Sequence, residues 1–160
     1  KEASVGDLGK LSQARLKVEK LTDARTLEPK ARIGEYSEKE DSVLYVETSS
    51  DVAEFVTNGM KDSLTKAGVQ LVEDNPQYTL SGEVRELYVT EKNTYQGRSS
   101  IQLTLKKNGK AVWEGVIRGK NSRFGRTYKM ENYMESLSDS VADTTIGLLG
   151  NDGFLGQFAK

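Results

Sequence analysis

Residues 118–129 form the stretch of this sequence that is best suited to binding a ligand. Five cations and two aromatic side chains alternate there without a carboxylate: Arg118, Lys120, Arg123, Phe124, Arg126, Tyr128 and Lys129. Arginine can donate two parallel hydrogen bonds to a phosphate or carboxylate, and aromatic rings stack or insert at a headgroup interface. We therefore predict an anionic-ligand or interaction loop made of Arg118, Lys120, Arg123, Phe124, Arg126 and Tyr128. The alternative is an ordinary charged strand end at which the two aromatic rings cover the core.

The composition excludes several kinds of catalytic and metal site. The 160 residues include no histidine and no cysteine. Disulfides, thiolate nucleophiles, Cys/His zinc sites and Ser-His-Asp triads are therefore excluded. Carboxylates remain at 35–41 and 83–86, but their spacing matches no calcium loop. We expect solvated surface carboxylates there, with no catalytic residue, no metal and no cofactor, and the alternative is a hydrolase that uses paired carboxylates.

The overall charge limits the partners that the chain can attract. It has 23 Lys and Arg against 24 Asp and Glu, which gives a net charge of −1. A domain with this balance is not drawn as a whole to nucleic acid or to an anionic membrane. We therefore expect no nucleic-acid partner, and attachment to a membrane only through a lipid anchor that this chain lacks. No apolar run approaches the length of a membrane span.

Residues 44–71 give the clearest structural pattern, which is strand, capped helix, glycine and strand. An apolar stripe predicts the helix, because its members recur three or four residues apart: Val52, Phe55, Val56, Met60, Leu64 and Ala67. Ser50 or Asp51 can cap the start of the helix, and Asp51 with Glu54 has the spacing of a capping box. Gly68 follows the last periodic residue, where a left-handed glycine closes a helix at little cost. We predict strands at 43–48 and 69–72 on either side.

The remaining elements are predicted from alternation and helical spacing. Residues 78–89 alternate and then change phase, which predicts a strand with a bulge near Arg85 or Glu86. Residues 93–97 are predicted to turn the chain. The polar and small residues between 119 and 125 indicate that a strand ends inside the basic stretch. A second helix is predicted from about Met130 to Leu149, followed by a short helical turn that docks through Phe154 and Phe158.

Asn108-Gly109 marks a hairpin for which two registers are open. A two-residue loop would put Trp113 on the face opposite Leu103 and Leu105. A three-residue loop, with the glycine left-handed, would pair Leu103 with Trp113 and Leu105 with Ala111, and would gather the apolar residues on one face. We predict the three-residue loop.

Together the elements predict a single α+β domain, with a mostly antiparallel β-sheet and two main helices packed on one face. Residues 1–15 are small and polar, so we predict a flexible N-terminal tether there and the α+β domain from 16 to 160. Asp23 and Arg25 are expected to fix a loop by a salt bridge or turn hydrogen bond. Because one hairpin joins strands 100–106 and 111–118, the chain around Tyr95 and Phe124 should meet at one end of the sheet.

From residue 16 to residue 160 the order of features resembles the YajG-type lipoproteins of Gram-negative bacteria. The resemblance rests on Asp23-Ala-Arg25, Ile33-Gly34, the helix between Ser50-Asp51-Val52 and Gly68, and a C-terminal helix with a short aromatic tail. It implies a mature domain on the periplasmic face of the outer membrane, anchored by a lipidated cysteine before Lys1. The family has no established reaction. We therefore expect a non-catalytic domain that binds another envelope component, a protein, lipid or glycan, and the third alternative is a self-associating structural domain.

Overall fold

A computed structural model describes residues 5–39, 42–124 and 129–159. The strands are β1 (Leu16–Val18), β2 (Thr22–Asp23), β3 (Arg32–Lys39), β4 (Ser42–Glu47), β5 (Tyr78–Glu91), β6 (Thr94–Lys107) and β7 (Lys110–Phe124). The helices are α1 (Val52–Lys66), α2 (Met130–Leu149) and α3 (Asp152–Gly156). Within these described residues, seven strands form one sheet in the order β4-β3-β5-β6-β7, with β1 and β2 also paired to β5.

The predicted α+β fold is confirmed. β5, β6 and β7 are long antiparallel strands, whereas β1, β2 and β3 all pair in parallel with β5. α2 lies close over β6 and β7, because a Cβ at Gly97 would fall 2.6 Å from Ser136 Oγ and one at Gly119 would fall 2.3 Å from Thr144 Oγ1. α1 packs beside α2. The apolar core fills the space between the helices and this face of the sheet. On the other face, which we call the open face, the described side chains of β7 at its even-numbered positions are exposed.

The helix predicted from the apolar stripe is α1, and both of its predicted ends are confirmed. Asp51 Oδ1 accepts a hydrogen bond from the Glu54 backbone N–H at 3.1 Å, and Gly68 has a φ of +92°. The strand predicted at 69–72 is wrong. Only an isolated parallel bridge joins Leu71 to Leu16. Hydrogen bonds from the Leu16 N–H to the Gln70 carbonyl oxygen at 3.3 Å and from the Val72 N–H to the Leu16 carbonyl oxygen at 2.9 Å hold this bridge.

The hairpin forms at Asn108-Gly109, but the predicted three-residue loop is wrong. Both residues are left-handed, with φ values of +51° and +84°, and Lys107 pairs with Lys110 across the turn. This is a two-residue loop of the kind that Asn-Gly favours, because its twist matches that of the flanking strands.

A β-bulge next to this loop places Trp113 on the predicted face of the sheet. Lys106 pairs with Ala111 and Leu105 pairs with Trp113, so β7 carries one extra residue between them. The extra residue reverses, once, the alternation of β7 side chains between the two faces of the sheet. Trp113 therefore lies on the face of Leu103 and Leu105 as predicted, although its partner is Leu105 rather than Leu103.

The register of β5 and β6 shifts between Val84 and Glu86, which confirms the predicted bulge. The predicted second helix is confirmed as α2. Phe154 and Phe158 are both buried, so the docked aromatic turn is confirmed as well. The chain turns between β5 and β6 as predicted, but the turn lies at residues 92–93 rather than 93–97, because β6 already begins at Thr94.

Asp23 and Arg25 fix a loop, as predicted. The Arg25 guanidinium is buried, and its Nη2 lies 2.8 Å from Asp23 Oδ2. It also donates to the carbonyl oxygen of Arg32 at 2.8 Å and to that of Lys30. The hydrogen bond from Arg25 lowers the pKa of the Asp23 carboxyl. This pair, in which Arg25 is buried and Asp23 is partly exposed, holds the chain between β2 and β3 by charge-assisted hydrogen bonds.

The segment predicted as a tether contacts the domain over part of its length. Leu11 and Ala14 are buried, and the Gly6 backbone N–H donates to the Leu149 carbonyl oxygen at 2.9 Å. Residues 1–4 lie outside the described residues. Leu11 and Ala14 therefore pack with the domain, although they lie in the segment predicted as a tether.

Candidate functional site

The pairing of β6 with β7 sorts the predicted binding residues onto two faces of the sheet. Arg123 pairs with Tyr95, which confirms that these stretches meet at one end of the sheet. Arg123 faces α2, where it meets Glu135. Because side chains alternate along a strand, the open face receives the even-numbered residues Arg118, Lys120, Ser122 and Phe124. Residues 118–124 are thus strand rather than loop, and Arg126 and Tyr128 lie outside the described residues.

Arg123 is engaged by the helix rather than presented to a ligand. Its Nη1 donates to Glu135 Oε2, and its Nε lies 3.5 Å from Asp139 Oδ2. The hydrogen bond with Glu135 raises the pKa of the Arg123 guanidinium. Two carboxylates of α2 therefore neutralise this cation and fasten the end of β7 to the helix.

On the open face, Lys120 lies directly opposite a cation that the sequence reasoning missed, Arg98 of β6. Like charges at directly opposed positions of a sheet repel each other. Arg98 is partly compensated, since its Nε lies 3.2 Å from Glu86 Oε1 and its guanidinium lies 5.0 Å from the centroid of the Tyr88 ring. Lys120 makes no ion pair with any described residue.

Arg118 and Phe124 extend this cluster along β7. Arg118 is exposed and forms no ion pair within the described part of the chain. Phe124 is 96% exposed, the largest exposure of any large apolar side chain described. At about 3.4 Å per residue, roughly 20 Å separate Arg118 from Phe124. We call the surface formed by Arg98, Arg118, Lys120 and Phe124 the basic face.

An open cleft of about 450 Å³ lies at the end of β7 beside Phe124. Its described lining residues are mostly polar: Tyr95, Ser122, Arg123, Phe124, Asn132 and Glu135. Glu135 is the one carboxylate among them, and Arg123 already holds it. Tyr95 accepts a hydrogen bond from Asn132 Nδ2 at 3.3 Å. The paired carboxylates that the hydrolase alternative requires are not found among these lining residues.

Glu91 is a buried carboxylate at the same end of the sheet. It is fully buried, and neither of its oxygens has a hydrogen-bond partner among the described residues. It pairs with Tyr95 of β6 and with Tyr36 of β3, which puts it on the face covered by the helices. Burial of an unpartnered carboxylate is costly. The sequence contains a sign of this burial, because Glu91 continues the alternation of the apolar residues Leu87 and Val89.

None of the described helices is sufficiently long and apolar to cross a membrane. Over residues 5–39, 42–124 and 129–159, no three acidic side chains are grouped so as to hold a metal ion.

No family model matches the chain, and no curated protein matches it. Solved structures do match. Protein XCC0632 from Xanthomonas campestris, of family DUF330, has a TM-score of 0.65 at 11% identity, over 98% of this chain and 94% of that one. A candidate lipoprotein from Caulobacter crescentus CB15 has a TM-score of 0.52 at 15% identity, over 71% of this chain and 88% of that one. At such identities these likenesses show a common fold, and the YajG-type resemblance stays a hypothesis.

Proposed function

We propose that this chain is the non-catalytic domain of a cell-envelope lipoprotein, and that its basic face docks onto anionic lipid headgroups. The observation that carries the proposal is the direct opposition of Lys120 and Arg98, with Arg118 exposed beside them. The envelope setting is supported by the fold shared with the C. crescentus candidate lipoprotein and by the resemblance to YajG-type lipoproteins, which implies the periplasmic side of the outer membrane.

A phosphate between Lys120 and Arg98 would remove the repulsion between them. Both side chains can donate charge-assisted hydrogen bonds to phosphate oxygens, which are shorter and stronger than neutral ones. Arg118 lies on the same face of β7, two residues from Lys120, and would meet a neighbouring headgroup. The net charge of −1 does not oppose this mode, because the attraction is local and acts within about a Debye length.

Phe124 supplies the apolar part of the contact. The Phe124 ring is 96% exposed, so its entry into the boundary between headgroups and acyl chains lowers the free energy of the bound state. Three cations near an anionic surface contribute about 3 kcal/mol, at about 1 kcal/mol each. Burial of the ring adds roughly 1.5–3 kcal/mol. The sum of about 4.5–6 kcal/mol corresponds to a dissociation constant of roughly 0.04–0.5 mM. A lipid anchor would strengthen this weak binding into stable attachment by holding the domain at the surface.

Co-sedimentation with vesicles tests the proposal. We expect the chain to bind vesicles that contain phosphatidylglycerol, to bind phosphatidylcholine vesicles weakly, and to be released by salt. The double substitution Arg118→Ala with Lys120→Ala should weaken binding about 30-fold, since it removes about 2 kcal/mol.

The matched control is Lys61→Ala with Lys66→Ala, which removes two cations from α1 and changes the net charge equally. It should leave binding unchanged. Equal loss in both double variants would show that only net charge matters, and absence of binding to anionic vesicles would remove the proposal in favour of a protein or glycan partner.

A further inference from the structure

β4 forms one edge of the sheet and exposes apolar side chains on both of its faces. Among the described strands it pairs with β3 alone. Val43, Leu44 and Tyr45 are 40%, 47% and 52% exposed. Val43 and Tyr45 lie on the open face, and Leu44 lies on the other face. A strand that is apolar on both faces is typical of a sheet interior, where both faces are covered.

The centre of β4 lacks the features that usually protect a sheet edge. Proteins blunt such edges with lysine, proline, bulges or a covering element. Residues 42–47 contain neither lysine nor proline. The register shifts of the β3–β4 pair fall near its two ends, and the pairing from Gly34–Val46 to Ser37–Val43 is continuous. The edge is therefore regular where it is most apolar.

The opposite edge of the same sheet, β7, is protected. The backbone N–H of Lys120 points away from β6 and donates to Asp143 Oδ2 of α2 at 3.0 Å. Cations also line this strand at Lys110, Arg118 and Lys120. The contrast within one sheet indicates that β4 is the edge at which another strand can add.

We propose that β4 pairs antiparallel with β4 of a second copy of this chain, so that two sheets join into one continuous sheet. Two-fold pairing is self-complementary, because each copy supplies the same strand. A two-fold axis perpendicular to the sheet keeps the open faces together and the helix faces together. The exposed apolar residues of each copy then lie against β4 of the other copy on both faces.

The register is centred on Tyr45, which lies opposite its own counterpart. Tyr45 is the most exposed apolar residue of β4, and the Arg32 guanidinium stacks 3.8 Å from its ring centroid and holds it. In this register Leu44 lies opposite Val46, and Val43 lies opposite Glu47. No like charges oppose each other across these pairs, and the aromatic pair at the centre is favourable.

Sedimentation velocity over a range of concentrations tests the association. One strand pair buries less than the roughly 1,200 Å² of a standard interface, so the dimer should be weak and concentration-dependent. Leu44→Lys should keep the chain monomeric. The control Val116→Lys changes a side chain that is 44% exposed on β7, and it should dimerise like the native chain. A native chain that stays monomeric, or equal loss in both variants, overturns the proposal.

Cysteine cross-linking tests the register directly, since the chain has no cysteine of its own. Opposed residues have Cα atoms about 4.5–5.5 Å apart, which lies within the range of a disulfide. Tyr45→Cys should therefore form a covalent dimer on oxidation. Val43→Cys should not, because its counterpart lies roughly 14 Å away along the strand. Cross-linking at 43 and not at 45, or at neither position in variants with a native circular dichroism spectrum, overturns the pairing.

Discussion

Gly119→Ala tests the close approach of α2 to β7, which fixes the face on which each residue of the basic stretch lies. A Cβ at position 119 would lie 2.3 Å from Thr144 Oγ1, 2.4 Å from the Ser140 carbonyl oxygen and 2.5 Å from the Thr144 backbone nitrogen. Ordinary contact for a Cβ begins at about 3.4 Å. α2 would therefore have to withdraw from β7 by about 1 Å, because atoms in contact repel steeply below that separation.

The loss of stability in Gly119→Ala can be estimated from the contacts that α2 loses as it moves away from β7. Overpacking of this kind costs about 1–3 kcal/mol, and the upper part of that range applies because two of the three atoms belong to the backbone. The Ser99 hydroxyl donates to the Ser140 carbonyl oxygen at 2.9 Å, and both groups are buried. Lengthening that bond adds about 1 kcal/mol. We expect Gly119→Ala to lower the free energy of unfolding by about 3–4 kcal/mol.

Urea unfolding followed by the fluorescence of Trp113 measures this change. Trp113 is the chain's single tryptophan, and its ring lies 5.2 Å from that of Phe154. The matched control is Gly156→Ala, where a Cβ meets no atom within 4 Å, and its effect should stay within about 0.5 kcal/mol. If both substitutions change stability equally, the close approach of α2 to β7 is refuted.

Three further predictions concern ionisable groups. The hydrogen bond from Arg25 lowers the pKa of Asp23 below 3.8, so native stability should fall as the pH drops below about 4, and Asp23→Asn should lose that dependence in acid unfolding curves. Burial and the hydrogen bond to Glu35 raise the pKa of Tyr88 to about 12, so native stability should fall between pH 10 and 12, and alkaline unfolding of Tyr88→Phe should lack that loss. Glu91→Met removes a buried carboxylate that no described residue partners, so the urea midpoint should rise by the equivalent of about 1–4 kcal/mol, and an unchanged or lower midpoint would contradict this reasoning.

The parts of the fold that depend on local signals could be predicted from the sequence. Asp51 and Gly68 mark the ends of α1 because capping and left-handed closure involve only neighbouring residues. The hairpin shows the limit of such reasoning. The apolar pattern correctly predicts the face of Trp113, but a bulge beside a two-residue loop gives the same face as a three-residue loop. The choice between them depends on backbone twist, which the pattern does not encode.

The candidate site was predicted less completely, because the strand was predicted to end too early. Gly119 was interpreted as a sign of a strand end, whereas it allows α2 to approach β7. When the strand is extended to Phe124, the alternation of side chains alone places Arg123 and Lys120 on opposite faces of the sheet. Arg98 was missed because a turn was predicted at 93–97, where β6 instead begins at Thr94. Cross-strand opposition depends on register, so the pairing of Lys120 with Arg98 could be seen only in the structure.

The most direct test of the basic face places a fluorescent reporter at its tip. In the variant with Trp113→Phe and Phe124→Trp, the single tryptophan replaces the ring that is 96% exposed. We predict that its emission shifts to the blue, and that lipids brominated near the headgroup quench it, on anionic vesicles and not on neutral ones. Unchanged emission and no quenching, under conditions where the chain sediments with the anionic vesicles, would contradict docking through this face.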